Sequence, residues 1–484
     1  MHHIQGSDRE QLTLFPEALD DYITEDNPVR FLDAFVDTLD FRGLGFLHAV
    51  LQETGRPSDH PADLLKLYVY GYFNRIRSSR QLEKEAGRNL ELMWSLKRLT
   101  PDFKTIADFR RDNRHAIRQV CRQFTLFCRQ PVLARPGLDL FGGELVAIDG
   151  SKFKAVNSKQ RNFTQRKLKK QVNKLDRKIE QYLAELDEAD EEEKGVHQPG
   201  AEELREKIEA MKGRRARLRE IEAQLKERVQ SQISLTDPDS RAMPVGGGEA
   251  TLVGYNVQLS IDAKHKLIVE HEVTNDVTDL GLLSHMAKSA KQALGIDELD
   301  VVADMGYYDG QEVKACLEEH ITPYIPKANT SANRKRGLFT KEDFGYDPDQ
   351  DCYGCPAGQA LTFRFQTVEQ EREIRYYATR ACRECALKAN CTGNQRGRRI
   401  TRWVDEHLLE AMQVRVQAEP EKVGLRKQLA EHPFGTIKHS WNQGYFLMRG
   451  LEKVRAEMAL TVMAYNLKRA IKILGVSRMV QALA

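Results

Sequence analysis

The sequence predicts a multidomain chain, a helical N-terminal domain over residues 1–135 followed by an α/β domain over 136–484 that two insertions interrupt. Three observations carry this. Apolar residues in the first part recur every three to four positions, as helix faces require. From residue 144 short apolar strands alternate with amphipathic segments, the pattern of an α/β or mixed sheet. Residues 163–233 and 345–395 break that pattern, the first with a coiled-coil-like repeat and the second with a cluster of cysteines.

A chain of 484 residues has room for two to four domains. With 41% hydrophobic and 30% charged residues, it reads as globular rather than disordered. The longest mostly apolar runs, such as Met458 to Ala464, are too short to span a bilayer. The polar N-terminus has no secretory signal pattern, so a cytoplasmic protein with reduced thiols is expected. The net charge of +3 decides little. Its distribution is more informative. Residues 104–129 hold seven Lys or Arg against Asp108 and Asp112, and residues 422–455 hold seven against Glu431 and Glu452. Such clusters can neutralise phosphates, though solvated helix faces account for either one equally well.

In the first domain, Pro28 opens a segment with Phe31, Leu32, Phe35 and Val36 on one face. Residues 61–77 form a mostly buried helix, and Ser78 or Ser79 caps the next. Thr100-Pro101 begins a long basic helix, with Pro101 in its first turn. Short helices with tight joints and a basic last element resemble a helix-turn-helix DNA reader, with Arg110, Arg111 and Arg114 as candidate DNA contacts. A plain helical bundle has the same pattern.

In the second domain, ELVAIDGSKF is a short strand ending in Asp149. VGYNVQLSID (253–262) alternates as a half-buried strand, and KLIVEHEVTN (266–275) is its hairpin partner. Residues 280–295 form an amphipathic helix stopped by Gly295. LDVVADMGYYDG is a buried strand ending in Asp304, and TPYIPK (322–327) is a third. The inserted segment 163–233 carries Leu168, Val172, Leu175, Ile179, Leu183 and Leu186, then Leu204 through Val229, at helical spacing. It is an antiparallel helical hairpin, either a structural arm or a dimer contact or DNA clamp.

Asp149 and Asp304 end two apolar strands, at the sheet edge where sites form in open α/β sheets. Adjacent bare carboxylates repel. A divalent cation between them removes the repulsion, and Mg²⁺ prefers such oxygen ligands and binds phosphate as well. A single strand-end Asp would read as a cap or turn residue.

These residues lie in motifs that resemble the bacterial insertion-sequence transposases of the DDE type. DREQLTLFPEALDDYITEDNPVRFLDAFVDTLD is similar to their InsH-type N-terminal domain. VAIDGSKFKAVNS, LTDPDSRAM, VGYNVQLSID and VVADMGYYDG are similar to the catalytic core, and EHPFGTIK with RGLEKVRAEMALTVMAYNLKR to its closing helices. The resemblance implies an RNase H-like catalytic domain and a third metal ligand, a Glu in the pattern Tyr-x2-Arg-x3-Glu-x6-Lys. Glu431 and Lys438 keep the second half. In the first half Lys427 stands where Arg is expected, with Arg426 beside it, and Gly424 replaces Tyr. Pro433 is expected to kink or restart the helix, and Glu452 and Glu457 are rival ligands. The implied set is thus Asp149, Asp304 and Glu431 with two Mg²⁺ or Mn²⁺ ions. The implied chemistry is hydrolysis at the element's end by metal-activated water, then attack of the freed 3′-hydroxyl on target DNA. Lys438 would contact phosphate, with Arg449, His439 and Asn442 as further candidates. The implied partners are terminal inverted repeats, target DNA and a second copy of the chain. The alternative is a domesticated or inactive transposase that only binds DNA.

Five of the eight cysteines, Cys352, Cys355, Cys382, Cys385 and Cys391, fall within forty residues, and two Cys-x2-Cys pairs read as a zinc ribbon. Tetrahedral zinc takes four. Spacing alone supports Cys352, Cys355, Cys382 and Cys385 equally, whereas the family pattern favours Cys355, Cys382, Cys385 and Cys391. Such a zinc would be structural, because four thiolates leave no open position. Cys121, Cys128 and Cys316 read as small buried hydrophobes.

Overall fold

The computed structural model describes residues 17–50, 58–129, 138–157, 161–192, 199–227, 232–245, 251–327 and 332–483. The expected domain boundary at 135 and the hairpin residue Val229 lie outside them, as does the start of the N-terminal motif. Helix α1 (Pro28–Asp37) has Pro28 in its first turn under the Asn27 side chain, which accepts from the Val29 amide. α2 (Pro61–Phe73), α3 (Ser79–Ala86) and α4 (Leu90–Ser95) follow. The long basic helix expected from Pro101 is two helices, α5 (Phe103–Asp112) and α6 (Arg114–Phe127). Asp102 is the cap of α5, taking the Lys104 and Thr105 amides, so Pro101 sits before the helix. Asn113 makes the break. Its amide nitrogen donates back to the Phe109 carbonyl while its oxygen takes the Leu47 amide.

The sheet domain opens with β1 (Leu145–Lys154), which runs five residues past Asp149 instead of ending there. β2 (Asn162–Thr164) then leads into α7 (Gln165–Glu192) and α8 (Pro199–Glu227), and β3 (Gln232–Ser234) closes the insertion by pairing antiparallel with β2. The helical hairpin is therefore present as expected, clipped at its base by a two-strand ladder too short to read from sequence. β4 (Arg241–Pro244), β5 (Thr251–Asp262), β6 (Ile268–Thr274), α9 (Leu283–Leu294), β7 (Leu299–Val302), α10 (Gly310–Glu318) and β8 (Ile321–Tyr324) complete a mixed six-stranded sheet. β5 and β6 form the expected hairpin. β1 lies antiparallel to β5 and parallel to β7, and β7 is parallel to β8, giving the order β6-β5-β1-β7-β8 with β4 also on β5. Gly295, at φ +65°, ends α9 as expected.

The cysteine-rich insertion contains α11 (Ala332–Lys335), β9 (Gly345–Asp347), β10 (Cys352–Gly354), β11 (Ala360–Glu369), β12 (Arg372–Ala378), α12 (Lys388–Cys391) and β13 (Arg399–Trp403). Its strands form one antiparallel sheet around Phe344, Tyr353, Leu361, Tyr377 and Ile400. It reaches Trp403, beyond the expected limit at 395, because β13 supplies an edge of that sheet. The chain ends in α13 (Glu406–Ala418), α14 (Pro420–Gly435), α15 (Leu451–Leu474) and α16 (Val476–Gln481). Among the described residues no helix is long and apolar enough to cross a membrane.

The middle of α15, residues 456–467, is buried on every side. It packs against α2 and α6 on one flank and β6 on the other. Phe31, Leu65 and Phe124 from the N-terminal helices thereby share one continuous core with Val146, Leu259 and Leu460.

Candidate active site

Parallel pairing of β1 and β7, in register from Leu145↔Asp300 to Ala147↔Val302, puts Asp149 and Asp304 at the same edge of the sheet. Asp304 caps the short 3-10 turn Met305–Tyr307, its side chain accepting from the Gly306 amide at 2.8 Å. Asp149 accepts from the Gly150 amide at 2.9 Å. A single guanidinium joins the pair. Arg426 Nη2 lies 2.8 Å from Asp149 Oδ1 and 3.4 Å from Asp304 Oδ2. Burial pushes the Asp149 carboxyl up; the Arg426 charge pulls it back, and the Asp304 carboxylate adds to the rise.

A third carboxylate sits beside this pair, and sequence reading missed it. Asp279 Oδ1 accepts from Asn256 Nδ2 at 2.7 Å, Gln258 Nε2 at 2.8 Å and Lys152 Nζ at 3.3 Å. Both glycines near the aspartates lie in close contact with the site's side chains. A Cβ on Gly150 would lie 2.5 Å from Asp279 Oδ1, and one on Gly306 would lie 2.9 Å from Asp304 Oδ1. Tyr307, buried behind the site, donates to Gln258 Oε1. Burial, with the Asp279, Asp149 and Asp304 charges, holds its hydroxyl well above the usual phenol range. The only sequence signal for Asp279 is its place in the loop after β6, which does not mark it out from Asp276.

Glu431 is not brought to the pair. Its side chain is 67% exposed and faces Lys427 at 3.8 Å, one turn back on α14. The α14 face toward the aspartates carries Arg426, with Leu429, Ala430 and Pro433 buried. α14 runs through Pro433 without a break. Its ladder loosens just afterwards into a π-helical turn, Thr436–Ser440, where the Trp441 amide donates to the Thr436 carbonyl at 2.9 Å. The rivals have other partners. Glu452 pairs with Arg455 at 2.6 Å. Glu457 is fully buried and accepts from the Leu447 and Met448 amides.

Lys438, on the π-helical turn, does reach the site. Its ammonium donates to Ser151 Oγ and, at 2.8 Å, to the Lys152 carbonyl. Burial lowers it to about 8; the Asp149 charge opposes that shift and Lys152 adds to it. The other expected DNA contacts divide. Arg110 is buried, donating to Tyr72 Oη at 3.0 Å and the Arg77 carbonyl at 3.4 Å, so it is a core residue and not a surface cation. Arg111 is held by Asp108 and Asp112. Arg114 is half-buried, with its charge felt at Asp112, and Arg449, His439 and Asn442 are exposed.

Cys355 follows β10, Cys382 lies on a 3-10 turn, and Cys391 ends α12. Burial pushes the Cys391 thiol up, and the charges of Cys382, Cys355 and Cys385 add to the rise. The Gln359 amide donates to Cys355 Sγ at 3.3 Å. Cys352 is buried in β10. Among the described residues no group of three or more His, Cys, Asp or Glu side chains is arranged to hold a metal ion. Cys121, Cys128 and Cys316 are buried as expected.

Residues 17–112 match the family described as Transposase domain (DUF772), and residues 354–471 match the one described as Transposase DDE domain. The second span includes Glu431, Lys438 and the cysteine cluster. No curated protein matches the chain. A solved structure, the cryo-EM structure of a piggyBac transposase synaptic complex with hairpin DNA, aligns over 92% of this chain and 71% of that one at 9% identity. Its TM-score of 0.32 is too low to build on. The chain thus carries one transposase domain near its N-terminal end and a transposase DDE domain in its C-terminal part, and the two matches together support an insertion-sequence DDE transposase.

Proposed function

We propose that the chain cleaves double-stranded DNA at the ends of its element and joins the freed 3′-hydroxyl to target DNA, with divalent cations at Asp149, Asp304 and Glu431. One observation carries this: two carboxylates at the same edge of neighbouring parallel strands, Asp149 within β1 and Asp304 just after β7, joined by one guanidinium. A guanidinium there neutralises a charge pair that would otherwise repel, so the place suits a cation. The carboxylate oxygens of Asp149, Asp304 and Glu431 are the hard donors that Mg²⁺ or Mn²⁺ prefers. Such ions would supply positive charge to phosphate oxygens and a more acidic water. Lys438, fixed against β1, would meet a phosphate at the cut. The order β6-β5-β1-β7-β8, with its first two strands antiparallel to each other and β5 antiparallel to β1, supports an RNase H-like reading of the sheet. Terminal inverted repeats and target DNA are the partners, and a homodimer would hold two ends together.

Glu431 lies five residues beyond Arg426, roughly 140° around the helix axis. Its arrival at the pair therefore requires α14 to turn as Arg426 withdraws. The test is cleavage of labelled end DNA by the full chain with Mg²⁺ and with a chelator. Metal-dependent cutting is expected, and Glu431→Gln should abolish it. If Glu431→Gln cuts normally while Asp279→Asn does not, Asp279 is the third carboxylate.

The Cys355, Cys382, Cys385 and Cys391 cluster is read as one structural Zn²⁺ site. Elemental analysis of protein purified without added metal should give about one zinc per chain. Cys382→Ser should lose it and lower stability, whereas Cys352→Ser, buried on β10, should keep it. Zinc-free protein with a normal melting curve would refute the site.

A further inference from the structure

The inserted hairpin is electrically lopsided. Residues 165–178 hold seven Lys or Arg against Asp176, and residues 212–219 hold five with no acid. The far end is the reverse, with seven Asp or Glu and no Lys or Arg over 180–192. α7 and α8 run antiparallel around their own core of Leu168, Val172, Leu175, Leu218, Ile221 and Leu225. That uses up their apolar faces and leaves the basic end beside β2 and β3.

Some of these cations are structural. Lys167 donates to the Asn162 carbonyl at 2.6 Å and lies over the Phe163 ring. Arg215 crosses the hairpin to Asp176 at 3.0 Å. Others are exposed, with no ion pair among the described residues: Arg166, Lys170, Lys174 and Arg177 on α7, and Arg214 and Arg217 on α8. The first four follow steps of four, four and three, one stripe on one helix face. Its length is about 16 Å, or about five base-pair steps of B-DNA. Arg214 and Arg217 line a groove of about 990 Å³ at the hairpin base, together with Arg161 and with Glu220 as the acidic residue there. A solvated face has no need to gather like charges, since they repel at these separations; a polyanion resolves the repulsion.

We propose that this basic base is a duplex-DNA docking surface, taking backbone phosphates along the α7 stripe and in the groove. It rests on the DNA-acting reading above. The hairpin leaves the sheet after β1, whose end is five residues and about 17 Å beyond Asp149, about half a turn of duplex. Phosphate contacts carry no sequence information, so the surface would hold element ends and unrelated duplex alike.

The test uses the full chain, in chelator, so that no cutting intervenes. Arg166→Gln, Lys170→Gln, Lys174→Gln and Arg177→Gln are combined, and binding to end duplex and to scrambled duplex is measured across a salt series. The slope of log affinity against log salt should fall by about 3.6, or 0.9 per phosphate contact. Affinity for both duplexes should drop by roughly 10³-fold at 0.15 M salt. The four side chains are exposed, so the melting curve should be unchanged. Wild-type binding with an unaltered slope in the variant would overturn the docking surface alone. Absence of wild-type binding to any duplex would overturn the DNA reading itself, and the surface with it. A changed sedimentation coefficient with unchanged DNA binding would assign the stripe to a protein contact and overturn the proposal.

Discussion

Asp149→Asn and Asp304→Asn are each expected to lower DNA cleavage by about 10³-fold or more, the scale of losing a preorganised electrostatic contact to the transition state. Binding to end DNA in chelator should change little. Each amide has the shape of the acid it replaces, and its oxygen in the Asp149→Asn variant can still accept from the Gly150 amide as the carboxylate does now. What is lost is charge. Asp149 is half of the pair that Arg426 now neutralises, and burial already works against its ionisation. An amide there leaves the Arg426 charge facing a neutral group and removes an anionic ligand. Since both carboxylates would act on the same cations, the double variant should cost little more than either single. A single-turnover assay with Mg²⁺, read beside a metal titration followed by tryptophan or Mn²⁺ signal, separates loss of cation binding from loss of folding. If both variants cut at the native rate, the carboxylate site is wrong.

Glu457→Ala should give the largest loss of stability, roughly 3–5 kcal/mol, as expected when one partner of a buried ion pair is removed. Glu457 is fully buried on α15 and 3.4 Å from Arg77, itself nearly buried. It also takes the Leu447 and Met448 amides at 2.9–3.0 Å. Truncation strands a buried guanidinium and two amide donors together. Arg77 donates as well to the Tyr445 carbonyl and stacks on the Tyr445 ring, so the loss falls on the joint between the N-terminal helices and the segment that follows Lys438. Glu457→Gln keeps an acceptor and should lose less. Denaturant midpoints of the two variants against the native chain measure this. A Glu457→Ala midpoint equal to the native one would show that the pair contributes nothing net.

Much of the architecture is legible in the sequence alone. The β5–β6 hairpin, the α9 stop at Gly295, the inserted helices and the placing of Asp149 and Asp304 on neighbouring strands follow from period-two and period-3.6 apolar patterns with glycine punctuation. Such patterns report which face of an element is apolar. The choice of Cys355, Cys382, Cys385 and Cys391 over Cys352 came from the family pattern, since spacing alone left it open.

Patterns do not report what packs against that face, and there the tertiary structure decided. Arg110 reads as a surface cation in a basic run, yet α2 buries it beneath Tyr68 and Tyr72. Asp279 sits in an ordinary loop, and the side chains of Asn256 and Gln258 on β5, with Lys152 on β1, hold it against Gly150. Glu431 keeps its family spacing to Lys438, but the rotation of α14 about its own axis is set by Leu429, Ala430, Pro433 and Phe434 packing inward. That packing turns Arg426 to the aspartates and Glu431 to solvent. The charge of a side chain is written in its sequence; whether that charge is solvated, paired or buried depends on neighbours hundreds of residues away, and only the folded chain supplies them.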